Sequence, residues 1–487
     1  MKTFSRYFII LVLPLFFVVS PACKRKHTAA NIFKDVLTDS NGKVTLKNLP
    51  FDFSASADTG TSFVPAIHSF ASAYYNGVWV FIGGKKNGFH GKSNNPPPFR
   101  VTTVNDSIWV VDFVNRHSWG APIPKSYRYQ LATTNPQFCQ SDSLLYFCGG
   151  FTASDSTAKM MNATSSWFFE LNLASLIQYV QSGGSMPFSQ VITMALNSPY
   201  VQVAGGEMLL RNANFYLVGG QNYNAVYSPG KNGIYTNAIR QFKLVQAGGT
   251  WSIGDTVSVY DAANLHRRDM NLVPYWLDGR SSATLYGGVF TARDEAYLNP
   301  VDISGLDSGK LAYKVEPTEQ MVNEYTCAYT TLSFSPYPLA ATVFFGGISY
   351  REYNPQTGKL QIGDGGVPMP FSNLVSTVFR YRNFPPVEAI QLPPGSSFLP
   401  AYIGSNARFI PLPQYLLAGH AETLDGNKIL NAYDGGQLLI GYLFGGIVSM
   451  GPTSGTTPDG YVATYANPKL YGVYFNLNGE AKVIKAK

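Results

Sequence analysis

The residues best suited to chemistry form one short run, His266, Arg267, Arg268 and Asp269, with Asn271 two positions further on. Only 13% of the chain is charged, about half the proportion usual in globular proteins, so four adjacent polar side chains stand out. An arginine fork binds a carboxylate through two parallel hydrogen bonds. An Arg–Asp pair can equally lock two structural units together without any ligand. The run predicts a ligand site or a structural clamp, with catalysis as a third alternative, and the sequence leaves these open.

Motifs for metal binding or nucleophilic catalysis are absent from the sequence. The six histidines, at 27, 68, 90, 117, 266 and 420, are not spaced as metal ligands. There is no HExxH, no Walker loop and no GxSxG. We therefore expect no metal and no cofactor, and no catalytic residue can be named.

Six segments share one template, a run of β-branched and aromatic residues that ends in Gly-Gly. The runs are VWVFIGG, LLYFCGG, NFYLVGG, SATLYGG, ATVFFGG and IGYLFGG, with first glycines at 83, 149, 219, 287, 346 and 445. Pairs such as Asn76-Gly77 and Asp434-Gly435 precede some runs, and these pairs favour tight hairpin turns because both central residues need positive φ. Each run is therefore predicted to be the second strand of a hairpin in an all-β domain.

The six Gly-Gly strands resemble the repeats of the kelch family, each of which folds into one blade of a β-propeller. The resemblance covers roughly residues 60 to 480 and implies a six-bladed propeller with four-stranded antiparallel blades. The spacing is longer than the kelch period of about 50 residues, and Trp109 and Trp167 only partly reproduce the family's downstream aromatic pattern. The chain is similar to an uncharacterised group of exported bacterial kelch-type proteins. Some six-bladed kelch proteins of the periplasm are sialic-acid mutarotases.

The N-terminus has the features of an export signal. Lys2 and Arg6 precede a short apolar run, which is too short for a membrane-spanning helix. Ala22 and Cys23 resemble the end of a lipoprotein signal, although Ser20 and Pro21 depart from that pattern; ordinary cleavage nearby is the alternative. We expect a signal peptide over 1–22, a tether over 23–53 and one propeller domain over 54–487. The protein is expected in the periplasm or outer membrane, lipid-anchored at Cys23, or otherwise periplasmic or secreted.

Propeller topology places the His266–Asp269 run on the connection between blades three and four, at one rim of the central channel. The loops after each Gly-Gly share this rim and add further polar and aromatic side chains. Those loops offer Lys85, Lys86, His90, Tyr223, Arg293, Asp294, Arg351, Glu352 and Tyr353. The candidate ligand-binding residues are His266, Arg267, Arg268, Asp269, Asn271, His90, Tyr223, Arg293, Arg351 and Tyr353. Arginines and tyrosines together suit an anionic or polyhydroxylated ligand.

Three further features concern the architecture. The long interval before the last Gly-Gly predicts an insertion over 413–434 in the first hairpin of blade six. Ring closure is expected from a strand near Phe51 to Ala57 or from residues 481–485. Cys139 and Cys148 flank a predicted hairpin turn, so an exported protein could oxidise them to a disulfide, although their positions look diagonal.

The sequence favours a binding module of the cell envelope that recognises a glycan or an envelope protein through its loop rim. The alternative is a sugar-processing enzyme, similar to a mutarotase or epimerase, that uses Arg267, Arg268 and Asp269 at the channel mouth. A purely structural envelope component is a third hypothesis. We expect a monomer whose membrane contact is the lipidated N-terminus. Nucleic-acid binding is not expected, because the basic residues are dispersed.

Overall fold

The structure of the protein is a computed structural model. It describes residues 27–33, 36–38, 44–46, 49–60, 62–89, 99–153, 162–227, 233–277, 280–362, 369–382, 384–392, 399–420, 422–452, 463–477 and 482–484. The predicted signal peptide, Cys23 and His90 lie outside the described residues. Within these ranges no helix has both the length and the apolarity to cross a bilayer.

The N-terminal segment packs against the propeller before it enters the ring. It comprises α1 (Ala29–Ile32), the strands β1 (Val36–Thr38) and β2 (Val44–Leu46), which pair with each other, and β3 (Phe51–Ala57). The buried ring of Phe33 meets the rings of Phe51 and Phe334 at centroid distances of 5.9 and 4.9 Å. Part of the stretch predicted as a tether therefore belongs to the folded core, and β3 begins three residues before the predicted domain start at 54.

Twenty-four of the described strands form six antiparallel four-stranded blades, as predicted. Blade one contains β4 (Ala71–Tyr75), β5 (Val78–Ile82), β6 (Ser107–Asp112) and β7 (His117–Pro122). After α2 (Arg128–Leu131), blade two contains β8 (Gln137–Ser141), β9 (Leu144–Cys148), β10 (Trp167–Asn172) and, beyond α3 (Leu173–Gln181), β11 (Ile192–Asn197). Blade three contains β12 (Glu207–Arg211) and β13 (Asn214–Val218), then the small hairpin β14 (Gln221–Asn222) and β15 (Ile234–Tyr235), then β16 (Ala238–Ala247) and β17 (Thr250–Tyr260).

The second half of the ring carries longer strands and two accessory elements. Blade four contains β18 (Arg268–Leu277), β19 (Arg280–Val289), β20 (Val301–Ser304) and β21 (Ala312–Val315). Blade five contains β22 (Ala328–Ser333) and β23 (Leu339–Ile348), then the hairpin β24 (Arg351–Asn354) and β25 (Lys359–Ile362), then β26 (Phe371–Tyr381) and β27 (Val387–Leu392). Blade six contains β28 (Tyr402–Pro411), an insertion with β29 (Thr423–Asp425) and α4 (Gly426–Ala432), then β30 (Leu438–Ser449), β31 (Thr464–Ala466) and β32 (Tyr471–Leu477); β33 (Lys482–Ile484) follows.

The Gly-Gly pairs lie where neighbouring blades touch. Gly83 and Gly84 have φ values of 73° and 89°, which other residues rarely adopt. A Cβ on Gly83 would lie 2.6 Å from the carbonyl oxygen of Thr133 in the next blade, and Gly84 N–H donates to that same oxygen at 2.7 Å. The repeated motif is therefore a contact between the end of each second strand and the backbone of the next blade. We call this end of the ring the upper rim.

Below the upper rim, a closed belt of backbone hydrogen bonds links all six blades. Each belt residue lies in an inner strand or just before it. Its N–H donates to the carbonyl of the belt residue in the preceding blade at 2.7–3.3 Å. Five of the six have positive φ, between 50° and 67°, where Asn, Asp and Gly are the favoured residues. The belt consists of Ser69, Asn135, Gly205, Asp269, Thr326 and Asn406.

The ring is closed by the N-terminal strand. β3 pairs antiparallel with β32 from Phe51↔Leu477 to Ala57↔Tyr471 and forms the outer strand of blade six. β33 pairs instead with β27, on the outer edge of blade five. Of the two predicted closing segments, the one near Phe51 to Ala57 is therefore the one that completes the ring.

The insertion of blade six crosses the lower end of the channel. It joins β28 to β30, as predicted, and its strand β29 pairs in parallel with the lower half of β22, the inner strand of blade five. The carboxylate of Glu422 pairs with Arg408 of β28, and the His420 ring lies 5.9 Å from that of Trp276, at the lower end of β18. The insertion thus reaches from blade six to blades four and five beneath the channel.

Aromatic rings fill the interfaces between blades. Phe168 of blade two and Phe215 of blade three meet edge to face, with centroids 5.4 Å apart. Phe345 of blade five stacks on Phe409 of blade six at 5.7 Å. Such pairs add about 0.5–1.5 kcal/mol each beyond the burial of their area, and they hold the rim residues in fixed positions.

Candidate functional site at the channel mouth

A cavity opens at the upper rim, above the belt, and residues of all six blades line it. We call it the upper cavity. Its walls repeat one structural position: the first residue after each Gly-Gly pairs with the residue that precedes a belt residue, as in His68↔Lys85, Thr134↔Phe151 and Ala204↔Gln221. The lining residues used below are His68, Lys85, Phe99, Asn135, Phe151, Tyr223, Tyr227, Arg268, Asp269, Tyr325 and Asn406.

Asp269 stands at the centre of a hydrogen-bond network on the cavity floor. Its Oδ1 accepts from Nδ2 of Asn135 at 3.0 Å, and its Oδ2 accepts from Nη1 of Arg268 at 2.7 Å and from the hydroxyl of Tyr325 at 2.9 Å. The side chain is 2% exposed. Three donors from blades two, four and five therefore hold one buried carboxylate, and this carboxylate neutralises the neighbouring arginine.

Arg268 lines the upper cavity and is already paired. Besides Asp269, its Nε donates to the hydroxyl of Tyr235 at 3.1 Å, and its guanidinium lies 5.2 Å from the ring centroid of Phe290. Burial opposes the charge, but Asp269 and the nearby tyrosines outweigh burial and raise the pKa of Arg268. The side chain is 13% exposed. Arg268 is a cation of the cavity wall whose charge is balanced within the protein.

Arg267 points into the protein. Its Nε, Nη1 and Nη2 donate to the backbone carbonyls of Asn264, Gly287 and Asn299 at 2.6, 3.0 and 2.8 Å. Its guanidinium lies 4.3 Å from the ring centroid of Tyr297. The residue is 0% exposed, and its own carbonyl accepts from Gly220 N–H of blade three at 2.6 Å. For Arg267 the geometry is that of a clamp between blades three and four.

His266 and Asn271 flank the Arg268–Asp269 pair in the sequence, and both make structural contacts. The His266 ring stacks on Tyr235 at 3.9 Å, and its Nδ1 donates to Oδ1 of Asn237 at 2.7 Å; burial lowers its pKa. Asn271 donates to the carbonyl of Glu324 and accepts from the N–H of Cys327 at 3.0 Å. Neither lines the upper cavity.

An aromatic wall covers the side of the cavity formed by blades one to three. The Phe99 ring meets those of Phe151 and Tyr227 edge to face at 5.0 and 5.1 Å, and Tyr223 lies 5.8 Å from Phe151. Tyr223 is 6% exposed, and its hydroxyl donates to the carbonyl of Val226 at 3.3 Å. Such rings present flat apolar faces with polar edges.

Lys85 is the cation that sequence reasoning did not single out. It is 3% exposed and lines the upper cavity, and its Nζ lies 4.3 Å from the centroid of the Phe99 ring. Among the described residues, Nζ has neither an ion-pair nor a hydrogen-bond partner. Burial lowers the pKa of Lys85 to about 7. A desolvated amine without a counter-charge is a costly feature to keep in a fold.

His68 lies beside Lys85 and is neutral. Its Nε2 donates to the carbonyl of Asn87 at 2.8 Å, so its Nδ1 accepts from the hydroxyl of Ser69 at 2.9 Å. Burial, and then the charge of Lys85, lower the pKa of His68 to about 3. The ring therefore serves to fix the loop after the first Gly-Gly, and it carries no charge near neutral pH.

The other predicted rim residues do not reach the cavity. Arg293 is exposed in the turn after β19. Arg351 donates through Nη1 to the carbonyl of Met321 at 3.2 Å, and Tyr353 packs with Met321 and Val322 in the β24–β25 hairpin region. The structure thus brings Arg268, Asp269 and Tyr223 together at the cavity, whereas Arg293, Arg351 and Tyr353 lie apart from it.

Cys139 and Cys148 are both free thiols in the structure. Cys139 pairs in register with Tyr146 and Cys148 with Gln137, so the two cysteines occupy diagonal positions on the β8–β9 hairpin. Diagonal neighbours lie about 7–8 Å apart, which is beyond the usual Cα separation of a disulfide. The candidate disulfide is therefore not formed here. Within the described residues, no group of histidine, cysteine and acidic side chains could hold a metal ion.

A second cavity lies below the belt. It is lined by all six belt residues and by residues of the inner strands that closely follow them in the sequence, among them Glu207, Asn271, Tyr329 and Arg408. Burial raises the pKa of Glu207 to about 8, although the charge of Arg408 opposes the shift. The belt thus divides the channel into an aromatic-walled upper cavity and a polar lower cavity above the insertion.

Comparison with known proteins adds little to this geometry. No protein-family model matches the chain, and no curated protein matches it. One solved structure, described as "Structure of YjhT", aligns over 86% of this chain and 98% of that chain, with 11% identity and a TM-score of 0.45. At this identity and score the likeness says nothing about function. The six-bladed propeller is clear from the structure itself, and membership of the kelch family stays a prediction.

Proposed function

We propose that the protein is a binding module of the cell envelope whose upper cavity holds a small polar ligand, such as the terminal sugar of a glycan. The observation that carries the proposal is the cavity itself, with an aromatic wall on one side and a floor of hydrogen-bonding groups from several blades. Apolar and aromatic walls with a few fixed polar groups are typical of small-molecule sites.

The enclosure of the site favours a small ligand over the flat surface of a protein partner. The belt of backbone hydrogen bonds lies beneath the upper cavity, and the insertion reaches blades four and five at the lower end of the channel. Aromatic rings can stack on the apolar face of a sugar, while Asn135, Asn406 and Tyr325 at the floor can hydrogen-bond its hydroxyls. Each of these groups is held in place by the blade that carries it.

The alternative of a sugar-processing enzyme has weaker support. Arg267, one of its three predicted residues, is enclosed by carbonyl groups. Asp269 already accepts three hydrogen bonds, which leaves it poorly placed to take a proton from a substrate. Binding without chemistry requires neither residue to act on the ligand.

A binding screen with one pair of variants tests the proposal. Thermal shift and isothermal titration against aldohexoses and hexuronic acids should find a ligand of the wild-type protein. Tyr227→Ala removes one ring of the wall and should weaken binding about 3–10-fold. Tyr260→Ala is the matched control, because Tyr260 is 68% exposed on the outer strand of blade three. If no sugar binds, or if Tyr227→Ala binds as tightly as Tyr260→Ala, the proposal fails.

We also propose that the protein is exported and lipid-anchored at Cys23, with the upper cavity facing away from the membrane. Cys23 precedes His27 by four residues, a reach of about 14 Å. His27 packs on Tyr433, and Phe33 on Phe334, at the lower end of the ring. The proposal predicts that the wild-type protein sediments with membranes, and that Cys23→Ser protein is recovered in the soluble fraction. A Cys23→Ser protein that stays with membranes contradicts it.

A further inference from the structure

The charges around the upper cavity do not cancel. Among the described lining residues, the other titratable groups are His68 of the same blade and, from blades three to five, Arg268, Asp269 and the hydroxyls of Tyr223, Tyr227 and Tyr325. His68 is neutral because burial and the charge of Lys85 lower its pKa to about 3, and burial raises the pKa of the Tyr325 hydroxyl. Arg268 and Asp269 form an ion pair at 2.7 Å. The amine of Lys85 is what remains without a counter-charge.

From this charge balance we infer that the ligand of the upper cavity is a monoanion, a sugar acid or similar polyhydroxylated carboxylate, whose negative charge pairs with Lys85. The inference rests on the proposed function and names the ligand class of the same site. One bound carboxylate balances the charge of Lys85, whereas a neutral sugar leaves the amine without a counter-charge. A dianion would bring a second charge for which the described lining offers no free cation.

The environment of Lys85 favours a strong pairing. The residue is 97% removed from solvent in the absence of ligand, so its desolvation is already part of the folded state and need not be supplied again on binding. The Phe99 ring at 4.3 Å stabilises the cationic form from one side. In such a water-poor site an ammonium–carboxylate contact is much stronger than at the surface.

Proton uptake follows from the same arrangement. Because burial lowers the pKa of Lys85 to about 7, about half of the empty protein carries a neutral amine at neutral pH. A bound carboxylate favours the ammonium form, so binding should take up about half a proton at pH 7. Affinity for the acid should then fall as the pH rises above 7, whereas affinity for a neutral sugar should not.

Matched ligand pairs test the inference by isothermal titration. The probes are glucuronate and galacturonate, their neutral counterparts glucose and galactose, and the dianion glucarate. Wild-type protein should bind an acid at least tenfold more tightly than its neutral counterpart and more tightly than the dianion. Titration in two buffers of different ionisation enthalpy should give the proton uptake. Lys85→Met should abolish both the preference and the uptake, and Lys86→Met, at an exposed neighbouring lysine, should keep both.

The outcomes separate the two proposals. If no probe binds, the proposed function is overturned, and the monoanion inference with it. If neutral sugars bind as tightly as the acids, or if Lys85→Met keeps the preference for the acid, the inference is overturned while the binding function stands. Circular dichroism and melting curves of Lys85→Met show whether a loss of binding reflects unfolding. Lys85→Arg, which keeps the charge, should retain the preference for the acid if the variant stays folded.

Discussion

The hydroxyl of Tyr325 donates to Oδ2 of Asp269 at 2.9 Å, joining the entry of blade five to the belt residue of blade four. The same oxygen accepts from Arg268 at 2.7 Å. One carboxylate oxygen therefore binds both Arg268 of blade four and Tyr325 of blade five at the cavity floor. This contact makes Asp269 a structural centre of the site rather than a free acid.

Removing the charge of Asp269 should cost stability. Asp269→Asn leaves the buried guanidinium of Arg268 without its counter-charge, and we expect the free energy of unfolding to fall by about 3 kcal/mol. Asp255→Asn is the matched control, since Asp255 also has positive φ and an ion pair, with Lys243 at 3.0 Å, but is 63% exposed. Its cost should stay below about 1 kcal/mol. Equal losses in chemical denaturation would contradict the buried ion pair.

The belt should not tolerate a side chain at Gly205. A Cβ there would lie 2.9 Å from Oδ1 of Asp269, at a residue with φ of +67°. Gly205→Ala is expected to destabilise the protein by about 2–3 kcal/mol. Gly248→Ala separates strain from crowding, because Gly248 has a φ of +58° with nothing within 4 Å of its Cβ position. That variant should lose only about 1 kcal/mol, as measured by its melting temperature.

Lys85 should lower the stability of the ligand-free protein at neutral pH and below. The folded-state pKa of Lys85 is depressed from 10.5 to about 7, so above pH 7 the unfolded chain binds the proton that the folded protein has lost. Stability therefore rises with pH in this window. Lys85→Met should be more stable than the wild type at pH 7, and this advantage should shrink by about 2 kcal/mol between about pH 7 and 9. A stability difference between Lys85→Met and the wild type that does not change with pH would speak against a buried amine. For Lys86→Met, at an exposed lysine, we expect the difference from the wild type to be independent of pH.

A buried carboxyl pair, formed by Glu324 at the entry of blade five and Glu388 of β27 in the same blade, should give the opposite pH dependence. Burial and the neighbouring Glu388 raise the pKa of Glu324, and burial raises that of Glu388 to about 7. Between about pH 4.5 and 7 the folded protein retains a proton that the unfolded chain has lost, so wild-type stability falls as the pH rises.

Glu324→Gln replaces the protonated acid by an amide that keeps the hydrogen bond from Gln320. The variant should gain stability relative to the wild type as the pH is raised from 5 to 8, as judged by melting temperatures. Glu319→Gln, at an exposed position nearby, should show no such trend. A flat profile for Glu324→Gln as well would mean that both carboxyls ionise normally.

Much of the fold was predictable because each Gly-Gly marks a contact that recurs in every blade. Gly83 must approach the backbone of the next blade closely, and this approach requires a residue without a Cβ. The location of Arg268 and Asp269 at the rim followed from the same repeat. The division of roles between Arg267 and Arg268 could not be predicted, since Arg267 precedes β18 and Arg268 begins it, and the sequence does not say which of the two side chains meets backbone carbonyls.

Lys85 was one charged rim residue among several, and the residue types alone do not distinguish it from Lys86. What separates them is the backbone pairing of Lys85 with His68, which turns Lys85 into the cavity. One sequence signal was present: Ser69, Asn135 and Gly205 each stand 14 residues before the first glycine of a Gly-Gly pair. Asn and Gly tolerate positive φ, and the regular spacing of the three residues marks the belt in the first three blades.

The pairing of β3 with β32 also sets the order in which the molecule can mature. The strand that completes blade six is made first, and its partner, which ends at Leu477, is made almost last. During synthesis the five preceding blades can form while β3 has no partner strand, although Phe51 and Phe53 can already contact Phe334 and Phe345 of blade five. Closure joins strands from opposite ends of the described chain, a long-range pairing of the kind that forms slowly, and a chain truncated before Tyr471 should lack the partner of β3 and leave the ring open.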